Sequence, residues 1–98
     1  MLNLFISPEA ERDLETIYEY TFYTWGQDQA DKFQDELFEA MNQILLNGKI
    51  GIRYSHADLD YRKFSINKHL LFYKAVQSNC IIVRVLHERM NLSFELEP

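Results

Sequence analysis

Near its C-terminal end the chain brings two guanidinium groups, an imidazole and a carboxylate into six residues: Arg84, His87, Glu88 and Arg89. Guanidinium groups neutralise phosphate, and imidazole moves protons near neutral pH. The cluster could therefore bind phosphate or act as a general acid–base pair. Beside it in sequence there is no nucleophile and no second base, so a patch that docks a protein is the simpler reading. Tyr61, Arg62 and Lys63 form a second group. They could stack on a base and neutralise its phosphate, or form the solvent side of a strand. His56, His69 and His87 lie far apart with no metal-ligand spacing, so no metal site is expected. The single cysteine, Cys80, excludes an internal disulfide and a thiolate-rich zinc site, and reads as a small buried filler. GxGxxG, P-loop, HExxH, CxxC and GxSxG patterns are all missing. No cofactor and no catalytic residue is therefore assigned.

The elements that would position these groups follow from periodicity. Asn3 to Ile6 reads as a short strand. Ser7-Pro8-Glu9 opens a helix, with serine as cap, proline at the first helical position and acids near the positive helix end. Ala10, Leu14, Ile17, Tyr18, Thr21 and Trp25 recur in steps of three and four, which is one helical face. On that stripe Trp25 reads first as core, with an interaction hot spot as the sharper alternative. Gly26 ends the helix. A second stripe of Ala30, Phe33, Leu37, Met41, Ile44 and Leu45 starts near Asp28 and stops at Asn47-Gly48. Two such helices joined by a very short turn form an antiparallel hairpin. Residues 48–60 read as an irregular connection. Strands are predicted over 61–66, 69–76 and 80–87, with turns at Asn67-Lys68 and at 77–79. The last two strands are apolar on both faces, as central strands are. The expected fold is α+β: a short N-terminal strand, an antiparallel two-helix hairpin, then a three-stranded antiparallel meander, with the helices on one face of the sheet.

The chain has 98 residues, 47% hydrophobic and 26% charged, which fits one folded domain over 1–98 and no second one. It is too short to enclose a large active-site cavity. No apolar run approaches the 20 or so residues that span a bilayer, and Met1 to Pro8 has no signal-peptide pattern. A cytoplasmic protein without membrane contact is expected. Net charge is −5, unevenly placed: residues 1–41 hold ten acids against Arg12 and Lys32, while residues 42–98 hold eight bases against five acids. Such asymmetry implies two faces with different partners. An acidic chain is a poor general binder of nucleic acid.

Taken in order, several of these pieces resemble the ParE toxins of bacterial toxin–antitoxin systems, within the RelE/ParE superfamily. They are Ile6-Ser7-Pro8-Glu9-Ala10 with Asp13-Leu14, then Trp25-Gly26 with Gln29-Ala30, Arg62-Lys63-Phe64, His69-Leu70-Leu71-Phe72-Tyr73, and Arg84-Val85-Leu86-His87-Glu88-Arg89-Met90-Asn91. Where the family often has Asn-Pro after its second helix this chain has Asn47-Gly48, and the usual final Asp is Asn91. The resemblance implies a RelE/ParE-like fold and a non-enzymatic toxin that poisons DNA gyrase so that cleaved DNA accumulates. It implies neutralisation by a ParD-like antitoxin, and no sequence-specific nucleic-acid binding by the toxin alone. Arg84, His87, Arg89 and Met90 are the residues expected to contact the target or to shape that surface. Leu14, Tyr18, Trp25, Phe33 and Leu37 are those expected to receive the antitoxin, through a segment that is basic or mixed in charge. The RelE branch instead cuts mRNA on the ribosome. Arg62, Arg84 and His87 would have to serve that chemistry here, and residues 91–98 add neither base nor tyrosine. An inactive homologue that still binds antitoxin is the third reading.

Overall fold

The computed structural model describes residues 1–56 and 59–89, without the side chains of residues 55, 56, 59 and 60. Met90 and residues 91–98, where the expected target contact at Met90 falls, lie outside the described residues. The elements run β1 (Asn3–Ile6), α1 (Pro8–Trp25), α2 (Gln27–Leu46), β2 (Ile52–His56), β3 (Leu59–Ile66), β4 (His69–Val76) and β5 (Asn79–His87). They form one five-stranded sheet in the order β1-β5-β4-β3-β2. β1 pairs with β5 in parallel, and all other neighbours are antiparallel.

The start of α1 is fixed twice. The Ser7 hydroxyl accepts from the Ala10 N–H at 3.0 Å and donates to the Val83 carbonyl at 2.8 Å, while the Ser7 N–H donates to Ile82. One residue thus caps the helix and welds it to β5. Gly26 separates the helices with φ of 97°, a conformation that disfavours any residue with a Cβ. Space is not the constraint, because a Cβ there would meet nothing within 4 Å.

The hairpin covers one face of the sheet. Phe33, Leu37, Met41, Ile44 and Leu45 of α2 and Ala10 of α1 pack on Leu71, Tyr73, Cys80, Ile82 and Val85. The opposite face carries a second cluster of Tyr61, Phe72 and Leu86, with Tyr54, Leu70 and Val83 against it. Leu71, Phe72 and Tyr73 are consecutive and all buried, as a strand with both faces covered requires.

The meander has four strands where three were expected. Residues 52–56 are not irregular but form the edge strand β2, with Ile52 opposite Lys63 and His56 opposite Leu59. The strand escapes sequence reading because its alternation is short, two glycines precede it and Ile52 is exposed. Its entry loop is held from within the core. The Tyr73 hydroxyl donates to the Gly48 carbonyl at 2.8 Å and accepts the Gly51 N–H at 2.9 Å. Arg62 donates to the Gly51 carbonyl at 2.8 Å. A Cβ on Gly51 would stand 2.7 Å from the Tyr73 hydroxyl and 2.9 Å from the Lys63 carbonyl, so the close approach requires glycine.

Candidate functional site

Two concave surfaces on the side of the molecule that carries the hairpin gather the candidate residues. The smaller is a groove of about 300 Å³ along the hairpin. Leu14, Ile17 and Tyr18 of α1 face Phe33, Leu37 and Phe38 of α2 across it, and Glu15 and Glu19 stand at its rim. The structure thereby brings together four of the five residues expected to receive a partner: Leu14, Tyr18, Phe33 and Leu37. Phe33 and Leu37 are buried and form the floor, whereas Leu14 and Tyr18 are partly exposed. The Tyr18 hydroxyl donates to Asp31 at 2.8 Å, which ties the two helices across the groove. That hydrogen bond, then desolvation, raises the Tyr18 pKa above its ordinary value.

Trp25 does not join them. Its placement in the core is overturned: it is among the most exposed large side chains of the described chain. The reason is length. An 18-residue helix is about 27 Å long, and Trp25 is its last residue, beyond the packed part of the stripe.

The larger surface is a cleft of about 1010 Å³ between the hairpin and the end of the β4–β5 pair. Tyr20 and Trp25 stand on its helical side, Lys32 and Glu36 come from α2, Lys68 comes from the turn between β3 and β4, and His69 and His87 come from the sheet. His69 and His87 are register partners across β4 and β5, with ring centroids 5.3 Å apart, edge to face. The His69 ring also packs on Phe33 at 4.8 Å, and its Nδ1 is buried with no hydrogen-bond partner. Desolvation, then the neighbouring His87, pushes the His69 pKa down, against a smaller opposing pull from Glu88. His87 Nδ1 accepts the Arg89 N–H at 3.1 Å, which assigns the ring proton to Nε2. Arg89 itself is exposed in the turn that follows β5.

Arg84 is engaged internally. Its Nε and Nη2 donate to the two oxygens of Asp13 at 2.7 and 2.9 Å, and the Val85 N–H donates to the same carboxylate at 3.0 Å. Asp13 therefore clamps α1 to β5 through a bidentate pair. Sequence reading allows Arg84 to pair with a helix acid but does not name Asp13, although a carboxylate three residues after Ala10 and four before Ile17 lies on the inward side of the helix. Arg62 is likewise held by loop carbonyls. Arg62, Arg84 and His87 are thus not convergent: the first two support backbone and helix, and only His87 opens on the cleft. Among the described residues no cluster of three metal-ligating side chains occurs.

Comparison with known proteins adds a family context. A family model described as the ParE toxin of the type II toxin–antitoxin system parDE matches residues 4–92. A curated relative, Toxin ParE1 of Mycobacterium tuberculosis, is 38% identical over 92 residues, covering 93% of this chain and 94% of the relative. Toxin ParE1 of Caulobacter vibrioides is 31% identical over 86 residues, covering 88% of each. Among solved structures, the chromosomal ParDE system from P. aeruginosa superposes with a TM-score of 0.74 at 20% identity, over 89% of this chain and 96% of that one. The YoeB dimer from Staphylococcus aureus superposes with a TM-score of 0.60 at 25% identity, over 88% and 95%. These two show the shared fold.

Proposed function

Since the chain belongs to the ParE toxin family of type II toxin–antitoxin systems, we propose that it is a toxin that binds DNA gyrase, holds it in a DNA-cleaved state and is not itself an enzyme. A ParD-like antitoxin neutralises it in the bacterial cytoplasm by docking in the hairpin groove. An apolar floor with a carboxylate rim suits an amphipathic segment with basic flanks, folded on binding. Arg89 and His87 are the target contacts on the sheet side, together with Met90. Arg84 shapes that surface from behind through Asp13.

The observation that carries the choice of mechanism is the internal engagement of Arg62 and Arg84. Ribonucleolytic attack by a 2′-hydroxyl needs groups aimed at the developing phosphate charge, and these two guanidinium groups already serve the fold. A second reading, mRNA cleavage on the ribosome, draws on the His69–His87 pair in an open cleft. The test is a supercoiling and DNA-cleavage assay with purified gyrase and antitoxin-free protein. Accumulated cleaved DNA, reversed by antitoxin, is the expected result. Unaffected gyrase with newly cut mRNA in a translation reaction, lost in His87→Ala, would transfer the assignment to the second reading.

A further inference from the structure

The tip of the helix hairpin has an unusual surface. Four aromatic residues fall within six positions at the end of α1: Tyr20, Phe22, Tyr23 and Trp25. Tyr23 is 84% exposed, Trp25 71% and Tyr20 67%. Phe22 and Tyr23 touch edge to face at 5.3 Å, and Tyr20 and Trp25 line the same cleft. Scattered apolar residues on a surface need no account, but an aromatic cluster marks an interaction site. Tryptophan and tyrosine are also the types that dominate binding hot spots.

Charge around the tip selects the partner. Glu19, Asp28 and Asp31 lie within about two helical turns of it, against Lys32, with Lys68 farther along the cleft. Asp28 offsets the positive end of α2, but no base lies in the last turn of α1 to offset its carbonyl end. Aromatic faces attract cations, and arginine adds stacking to its bonds with carboxylates. Phosphate would be repelled by the same acids. We propose that the aromatic tip is the surface with which the toxin grips its target, and that it takes an arginine-rich protein surface. This rests on the toxin reading above, and it moves Trp25 from the antitoxin set to the target set. The His87 end of the cleft is the neighbouring part of the same face.

The test uses the full chain carrying Tyr23→Ala and Trp25→Ala together. Both side chains are exposed and alanine suits a helix, so the variant keeps its fold, which its urea midpoint verifies. The first readout is growth arrest on expression without antitoxin, which does not depend on what the target is. The second is affinity for purified gyrase, and the third is affinity for the antitoxin. Loss of growth arrest with unchanged antitoxin affinity is expected. Gyrase binding should be at least about 30-fold weaker, and binding of the unsubstituted protein should fall as salt rises from about 50 to about 300 mM. Growth arrest equal to that of the unsubstituted chain overturns the tip proposal and leaves the toxin reading intact. Arrest by the unsubstituted chain without gyrase binding overturns the gyrase assignment alone. Loss of antitoxin affinity in the variant assigns the tip to the antitoxin and overturns the proposal. So does a DNA oligonucleotide that displaces gyrase from the tip. A harmless unsubstituted chain overturns both readings.

Discussion

Replacing Asp13 by asparagine tests the clamp between α1 and β5. The carboxylate receives three donors: Arg84 Nε at 2.7 Å, Arg84 Nη2 at 2.9 Å and the Val85 N–H at 3.0 Å. Side-chain exposure is 21% for Arg84 and 15% for Asp13, so the pair is neither a surface pair nor a fully buried one. Exposed pairs contribute about 0–1 kcal/mol, and removing one partner of a buried pair costs about 3–5 kcal/mol. Arg84 Nε and the Val85 N–H share one carboxylate oxygen, so asparagine with its carbonyl in that place keeps two of the three bonds, loses the one from Arg84 Nη2 and loses the charge. The expected loss is about 2 kcal/mol, that of one charge-assisted hydrogen bond together with the weakening of the two that now meet a neutral oxygen, less the solvent regained by Arg84. For a domain of this size that lowers Tm by roughly 8–16 °C. Urea melts should show a lower midpoint with an unchanged slope. A cycle with Arg84→Met separates the pair from the other contacts that Arg84 makes. A loss below about 0.5 kcal/mol, or additive single and double variants, would refute the clamp.

Four further outcomes follow from particular contacts. Tyr73→Phe removes the hydroxyl that joins Gly48 to Gly51 and leaves a buried N–H unpaired, at a cost of about 1–3 kcal/mol; faster amide exchange at Gly51 is the local sign. His69 holds a folded-state pKa below its ordinary 6.5, chiefly through desolvation. Above 6.5 neither state is protonated and the native state keeps its full stability; as pH falls through 6.5 toward the folded value, the unfolded chain binds protons first and stability is lost. Comparing urea midpoints at pH 7.5 and 5.5 should show that loss, and His69→Gln should flatten it. Burial pushes the Cys80 thiol up to about 11, so alkylation at neutral pH should be negligible in the native protein and rapid in urea. Antitoxin association should slow as salt screens the acidic groove rim; an on-rate indifferent to salt would count against a basic segment there.

Local signals carried most of the fold. Ser7-Pro8 and Gly26 mark the ends of α1, and the stripes of α1 and α2 match the packed residues from Ala10 to Leu45. The site was less legible, because register is not a local property. A two-residue turn at Gln77-Ser78 pairs Val76 with Asn79 and, continued evenly, would set His69 opposite Leu86. A bulge breaks that register. Tyr73 pairs with Ile82 but Phe72 pairs with Arg84, so Val83 is the extra residue and His69 meets His87. The same shift puts Val85, rather than Arg84, opposite Leu71 in the core. No residue type announces the bulge, so neither the histidine pair nor the β5 residue that meets Asp13 could be placed from sequence. Trp25 failed for another reason: periodicity says which way a side chain points but not where the underlying layer ends.

The uneven charge of the chain takes on a physical meaning once four of the bases of its C-terminal half are located. Arg62 holds the loop before β2, Arg84 holds α1, and Lys63 and Lys74 lie over the rings of Tyr54 and Tyr61 at 5.3 and 4.9 Å. These bases of the C-terminal half therefore serve the sheet more than its surroundings. Apart from Asp13, acids of the N-terminal half face outward instead: Glu15 and Glu19 rim the groove, and Asp28, Asp31, Asp35 and Glu39 share the outer side of α2. A partner approaching the hairpin meets a negative field around exposed aromatic rings. That field speeds encounter with a basic protein and opposes bare DNA.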